Sequence, residues 1–234
     1  MQVGEPIGEG WAIYKRFWRH LIPIALVVYL VVSLVALALA STGSSLSALA
    51  AFIVTVAGVF LLQAALVEAV ADVRDGRADL TLGETIARAW PRLGSVAVAG
   101  IAAAIGIVIG FVLLVVPGLY LLTIWSMIVP VIVLEQRGAF DSFGRSRELV
   151  RGYGWTVFGV IVVTFAINVA VSIVLEILFA GFSTVIGHYI ANVIANTVIS
   201  PFVAAAWTCM YFRLRELKEP ATAGLPSGAA YTDA

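Results

Sequence analysis

Three long apolar stretches, separated by short charged ones, organise this chain. Leu21–Val67 contains no charged residue, Leu93–Leu134 contains none, and Gly152–Phe212 is interrupted only by Glu176 and His188. A helix needs about 20 apolar residues to cross a bilayer, so each stretch has room for two crossings. Turn-forming residues divide them: the Ser/Gly-rich Ser41–Ser47, the Pro117-Gly118 pair, and Gly181–Gly187. The predicted spans are 21–40, 48–70, 94–116, 119–135, 156–180 and 188–212.

The charged stretches carry a helical period of their own. Ile7, Trp11, Tyr14, Trp18 and Leu21 recur at helix spacing, with Lys15, Arg16 and Arg19 between them. This predicts an amphipathic helix over 6–19 lying in the membrane interface, where aromatic rings settle and basic side chains meet phosphates. Leu82, Ile86, Trp90 and Leu93 predict a second over 82–92, opened by a capping box at Thr81-Leu82-Gly83-Glu84. Phe140, Phe143 and Val150 predict a third over 139–151. The Pro/Gly/Ala/Ser-rich 220–234 reads as a disordered cytoplasmic tail.

The resulting expectation is an all-α, polytopic six-helix bundle forming a single domain over 1–219. It consists of three pseudo-repeats, each an interfacial helix followed by a helical hairpin. The interfacial helices align as Glu9-Gly10-Trp11-Ala12, Glu84-Thr85-Ile86-Ala87 and Asp141-Ser142-Phe143-Gly144. Arg88 and Arg145 then coincide, where the first unit has Ile13. Transporter repeats often come in twos, so a threefold layout argues mildly against those folds.

Composition agrees: 62% of residues are hydrophobic, 12% are charged, and the mean hydropathy is +1.04. A soluble domain carries about 25% charged residues. The formal net charge of zero hides an asymmetry, because all 14 Lys and Arg fall in four segments. These lie before the first span, between the second and third, between the fourth and fifth, and after the sixth. Basic loops stay in the cytoplasm, so a multi-pass protein of the cell membrane with both termini cytoplasmic is predicted. A signal-peptidase site at Ala38-Leu39-Ala40 is the competing reading. The apolar stretch before it is longer than a signal's usual 7–15 residues, and cleavage would spoil the charge pattern.

The segment Val129–Val160 resembles the membrane domain of certain glycerophosphoryl diester phosphodiesterases and the related stand-alone YciC-like membrane proteins. The residues that carry the likeness are Pro117, Gly118, Tyr120, Trp125, Pro130, Glu135, Arg145, Ser146, Leu149 and Gly152. The resemblance implies a multi-helix membrane domain of poorly defined function. The catalytic barrel of the fused enzymes would need roughly 250 residues, and this chain has no room for it. Hydrolase activity is therefore not expected.

Candidate chemistry is sparse. Glu176 is the only charge within a predicted span, and an intramembrane carboxylate is a functional hypothesis by default. With Asn168, Asn192 and Asn196 it could line a polar site for a cation, a proton or a lipid headgroup. The competing reading is an interfacial Glu176 that reaches water or bonds Asn192. Arg88, Arg92, Arg145, Arg147 and Arg151 are candidates for lipid phosphate, because the guanidinium fork matches phosphate geometry and basic juxtamembrane clusters attract anionic lipids. Orientation alone would also explain them. Glu68 and Glu135 are expected to pair with nearby arginines such as Arg74 or Arg137. Gln63 reads as an interhelical hydrogen bond. The Ala102, Gly106 and Gly110 series allows close helix approach, within the bundle or between copies.

No catalytic or metal-binding pattern is present, and the two histidines fall on opposite predicted faces. No catalytic residue, metal ligand or cofactor is expected, and nucleic acid is excluded as a partner by the charge balance. The favoured expectation is a non-catalytic module that organises anionic lipids or partner membrane proteins at the cytoplasmic face. A homo-oligomer stays open. The alternative is a small transporter or channel built around Glu176.

Overall fold

The computed structural model describes residues 1–179 and 185–219, without the side chains of 40, 176, 179 and 185–192. The described residues form helices α1 (Gly4–Ala40), α2 (Ser45–Asp72), α3 (Leu82–Ala89), α4 (Leu93–Leu113), α5 (Val115–Ile124), α6 (Ile128–Leu134), α7 (Asp141–Val150), α8 (Gly154–Phe179) and α9 (Val185–Lys218). Six of the helical stretches are long and apolar enough to cross a membrane. The chain is an all-α, multi-pass membrane protein.

The first interfacial segment and the first span are one helix, α1, and no loop separates them. Phe17, with φ −114° and ψ 20°, breaks the helical geometry between the two parts. Pro23 follows in the same helix, and a proline cannot give the bond its N–H would make to the residue four before it. The second interfacial helix begins as expected. The Thr81 hydroxyl accepts from the Glu84 N–H at 3.3 Å, and the Glu84 carboxylate accepts from the Thr81 N–H at 2.8 Å. It too runs almost directly into its span, through a single 3₁₀ turn at Trp90–Arg92.

The hairpin after α4 differs from the expectation. Its turn lies at Leu114, whose backbone is extended at φ −165° and ψ 151°, and not at Pro117-Gly118. Pro117 is the third residue of α5. The first turn of a helix has no partner for its N–H groups, so a proline there removes nothing. The fourth span, predicted as one helix, is broken at Trp125–Met127 into α5 and α6.

Two apolar clusters hold the bundle together. The first joins α1 (Leu21, Ile24, Val28), α2 (Leu62, Leu66, Val70) and α4 (Val96), with Ile132 of α6 and Ala205 of α9. The second joins Met127 and Val131 to Leu149 of α7, Val157 and Val160 of α8, and Met210, Tyr211 and Leu214 of α9. Helix α9 touches both. Its crossing with α1 is very close: a Cβ on Gly10 would lie 2.6 Å from the Ala206 nitrogen. The small-residue face of α4 packs inside the molecule. Gly110 lies against the Gly118 backbone and Gly106 against the Trp125 ring.

The four basic segments meet at one end of the bundle. Arg213 pairs with Glu9 at 2.6 Å, Arg74 pairs with Glu216, Arg145 pairs with Glu219, and an Arg16 guanidinium N–H donates to the Gly76 carbonyl at 3.4 Å. The asymmetry of charge along the sequence is thus an asymmetry in space.

Candidate functional site

Helix α7 lies at the basic end, and two left-handed residues frame it: Gln136 at φ 56° before it and Gly152 at φ 90° after it. Gly152 is suited to that backbone because it has no Cβ to clash. One face of α7 turns into the protein. Ser146 accepts from the Met127 N–H at 3.1 Å and donates to the Ile124 carbonyl at 2.7 Å. These are backbone groups left open by the break between α5 and α6. A serine on one helix therefore completes the hydrogen bonding of another.

Arg145 lies one residue earlier and is 7% exposed. Its Nε donates to both Glu135 oxygens at 3.0 and 2.9 Å, its Nη1 reaches Glu148 at 3.2 Å, and its Nη2 reaches Glu219. Glu135 also accepts from the Tyr211 hydroxyl at 3.0 Å and from Arg137 at 2.9 Å. Arg215 adds a contact to Glu219 at 3.5 Å. Burial by itself disfavours the Arg145 charge, yet the hydrogen bonds it donates to Glu219 and Glu135 outweigh this and raise its pKa. Burial likewise acts to raise the Glu219 pKa, but the Arg145 contact prevails and holds the carboxyl below its usual range. Three cations and three carboxylates thus tie the ends of α6, α7 and α9 together.

The other side of α7 faces outward. Arg147 and Arg151 are exposed and, with Glu148, line a cavity of about 740 Å³. Tyr120, Ile124, Gly152 and Gly154 form part of its wall. The same four residues also line an adjoining apolar groove of about 560 Å³ between α5 and α8, with Val116, Leu119, Trp155 and Phe158. A basic mouth therefore opens into an apolar channel along the membrane-facing surface. Tyr120 and Trp155 are exposed there, as is common for aromatic rings at the headgroup level.

Residues 80–214, more than half of the chain, match the family model described as Domain of unknown function (DUF7847). The chain belongs to this family. The DUF7847 match covers α3 to α8 and most of α9, including Glu135, Arg145, Ser146, Tyr211 and the whole wall of the groove; Glu219 lies just beyond it. No curated protein and no solved structure matches the chain.

The predicted arginines separate into different environments. Arg145 is the correction: it does not serve as a candidate for lipid phosphate, because its guanidinium is buried and engaged by carboxylates. Arg147 and Arg151 share one cavity. Arg88 is exposed and Arg92 half-buried near α3, and both act electrostatically on Glu68. Arg74, suggested as the Glu68 partner, instead pairs with Glu216 and stacks over the Phe212 ring at 4.1 Å. The Glu135–Arg137 pair is present.

Asn168 on α8 and Asn196 on α9 are half-buried, whereas the side chains of Glu176 and Asn192 lie outside the described residues. Among the described residues, no group of three or more His, Cys, Asp or Glu is placed to hold a metal. Sequence reasoning missed the roles of Ser146, Tyr211 and Glu219. Ser146 stood within the motif that carried the family resemblance, but its contact is to backbone that only a helix break exposes.

Proposed function

We propose that this chain is a non-catalytic membrane module that binds an anionic phospholipid in the groove between α5, α7 and α8. The phosphate sits at Arg147 and Arg151, and an acyl chain lies along Leu119, Trp155 and Phe158. The observation that carries this reading is the direct opening of a basic mouth into an apolar channel. Two forked guanidinium groups suit a phosphate, and apolar walls suit a chain that water does not. Glu148 shares the mouth, but two guanidinium groups stand there against its one carboxylate, so positive charge prevails. The basic end faces the cytoplasm by the charge rule for membrane proteins, where the leaflet is rich in anionic lipid.

Native mass spectrometry of gently solubilised protein tests this. The wild type is expected to retain one anionic phospholipid. The double variant Arg147→Gln, Arg151→Gln is expected to bind it about 30-fold less well, at about 1 kcal/mol per basic residue, with an unchanged melting temperature. Arg88→Gln with Arg92→Gln should retain the lipid. Equal retention by all three proteins, or none by the wild type, would overturn the reading.

A further inference from the structure

Within the apolar body of helix α2, the fold leaves the polar side chain of Gln63 unused. Gln63 was expected to make an interhelical hydrogen bond. It is exposed, and among the described residues no partner reaches it. It lies nine residues before Asp72, the last residue of α2, or about 13 Å at 1.5 Å per residue. Side chains on a helix lean toward its N-terminus. For α2 that direction leads away from the basic end and deeper into the hydrocarbon. Gln63 therefore cannot readily reach the nearer water, and an unsatisfied amide in lipid is costly.

The residues around it supply the explanation. Leu49, Phe52, Val56, Val59 and Gln63 alternate in steps of three and four. Leu49 is 55% exposed, Phe52 66% and Val59 39%. The spacing is that of the a/d seam of a two-helix coiled coil, and it lies on the outward side of α2, with Val56 half-buried within it. Gln63 occupies an a position, where a single polar residue fixes register and partner number in such seams. A carboxamide has both a donor and an acceptor group, so it complements its own copy across a twofold axis. Two copies inserted in the same sense place their α2 helices parallel, as this pairing requires.

We propose that the outer face of α2 is a homodimer interface, in which Gln63 of each copy hydrogen bonds Gln63 of the other.

The test uses the full chain in vesicles of neutral lipid, with subunit number read by single-molecule photobleaching. The wild type is expected to be dimeric. Gln63→Leu is expected to weaken association about 3- to 30-fold, the range of interhelical polar contacts in membranes, with folding intact because the site is exposed. With the buried Cys209 replaced by Ala, oxidation should cross-link Phe52→Cys and Val56→Cys. Val108→Cys, 60% exposed on α4, should not cross-link. A monomeric wild type at every protein-to-lipid ratio would overturn the proposal. So would a dimer unaffected by Gln63→Leu, a cross-link only at Val108, or co-purification at this face with a different protein in place of a second copy.

Discussion

Arg145 and Arg147 stand two residues apart, and their surroundings are opposite. Arg145 is 7% exposed and closes on three carboxylates, whereas Arg147 is exposed beside an open cavity. Removing one member of a buried ion pair leaves the other charge unpaired, which costs about 3–5 kcal/mol. Glu135, whose side chain is only 11% exposed, keeps Arg137 and Tyr211 as partners, so Arg145→Gln is expected to lower stability by less than that, about 1–3 kcal/mol in detergent unfolding. Arg147→Gln should change stability by less than about 0.5 kcal/mol, as for other surface sites. Equal effects of the two changes would refute the division of roles along α7. The sequence presents both arginines in one basic patch. Only the direction of each side chain, set by how α7 rotates against α6 and α9, separates a structural cation from one free for ligand.

At the scale of elements, the break between α5 and α6 is the feature that shapes the site. It lets the chain bend where Trp125 meets Gly106 on one side and Phe143 edge-on at 5.0 Å on the other. Ser146 satisfies the Met127 N–H and the Ile124 carbonyl at the break. A buried donor left without a partner costs about 1–3 kcal/mol. Ser146→Ala should therefore destabilise by that amount and speed hydrogen exchange at the Met127 amide more than at the neighbouring amides of α6. Unchanged exchange there would show that the serine does not hold the break. The break was not legible in the sequence, because Leu119–Leu134 contains neither proline nor glycine before Pro130. The Pro117-Gly118 pair misled in the opposite sense, since proline at a helix start and proline in a turn look alike along a chain.

For the whole molecule, the crossing of α1 and α9 is a backbone-to-backbone constraint on assembly. It brings the first and last helices together and places Glu9 against Arg213 at 2.6 Å. A side chain at Gly10 would meet Ala206 backbone at 2.6 Å, and backbone cannot rotate aside as a side chain can. Gly10→Leu should cost about 1–3 kcal/mol or more through overpacking. It should also separate Trp11 from Phe202, whose rings stand 5.7 Å apart, and thereby alter tryptophan fluorescence. A variant with wild-type melting and emission would show that this crossing tolerates a wider spacing.

The sequence by itself determined the six membrane helices, the capping box at Thr81, and the gathering of basic segments toward one end. Each follows from local composition or from alternation between loops, which hydrophobic length and charge report without reference to distant neighbours. Tertiary structure decided the rest. Whether the Ala102–Gly110 face packs within the bundle, whether Arg145 points inward, and whether Gln63 finds a partner all depend on which face each helix turns to its neighbours. A helix that is apolar on every side carries no amphipathic stripe to announce that rotation. It is settled only by close packing of side chains from several helices, and the groove beside α7 exists only as the space that packing leaves.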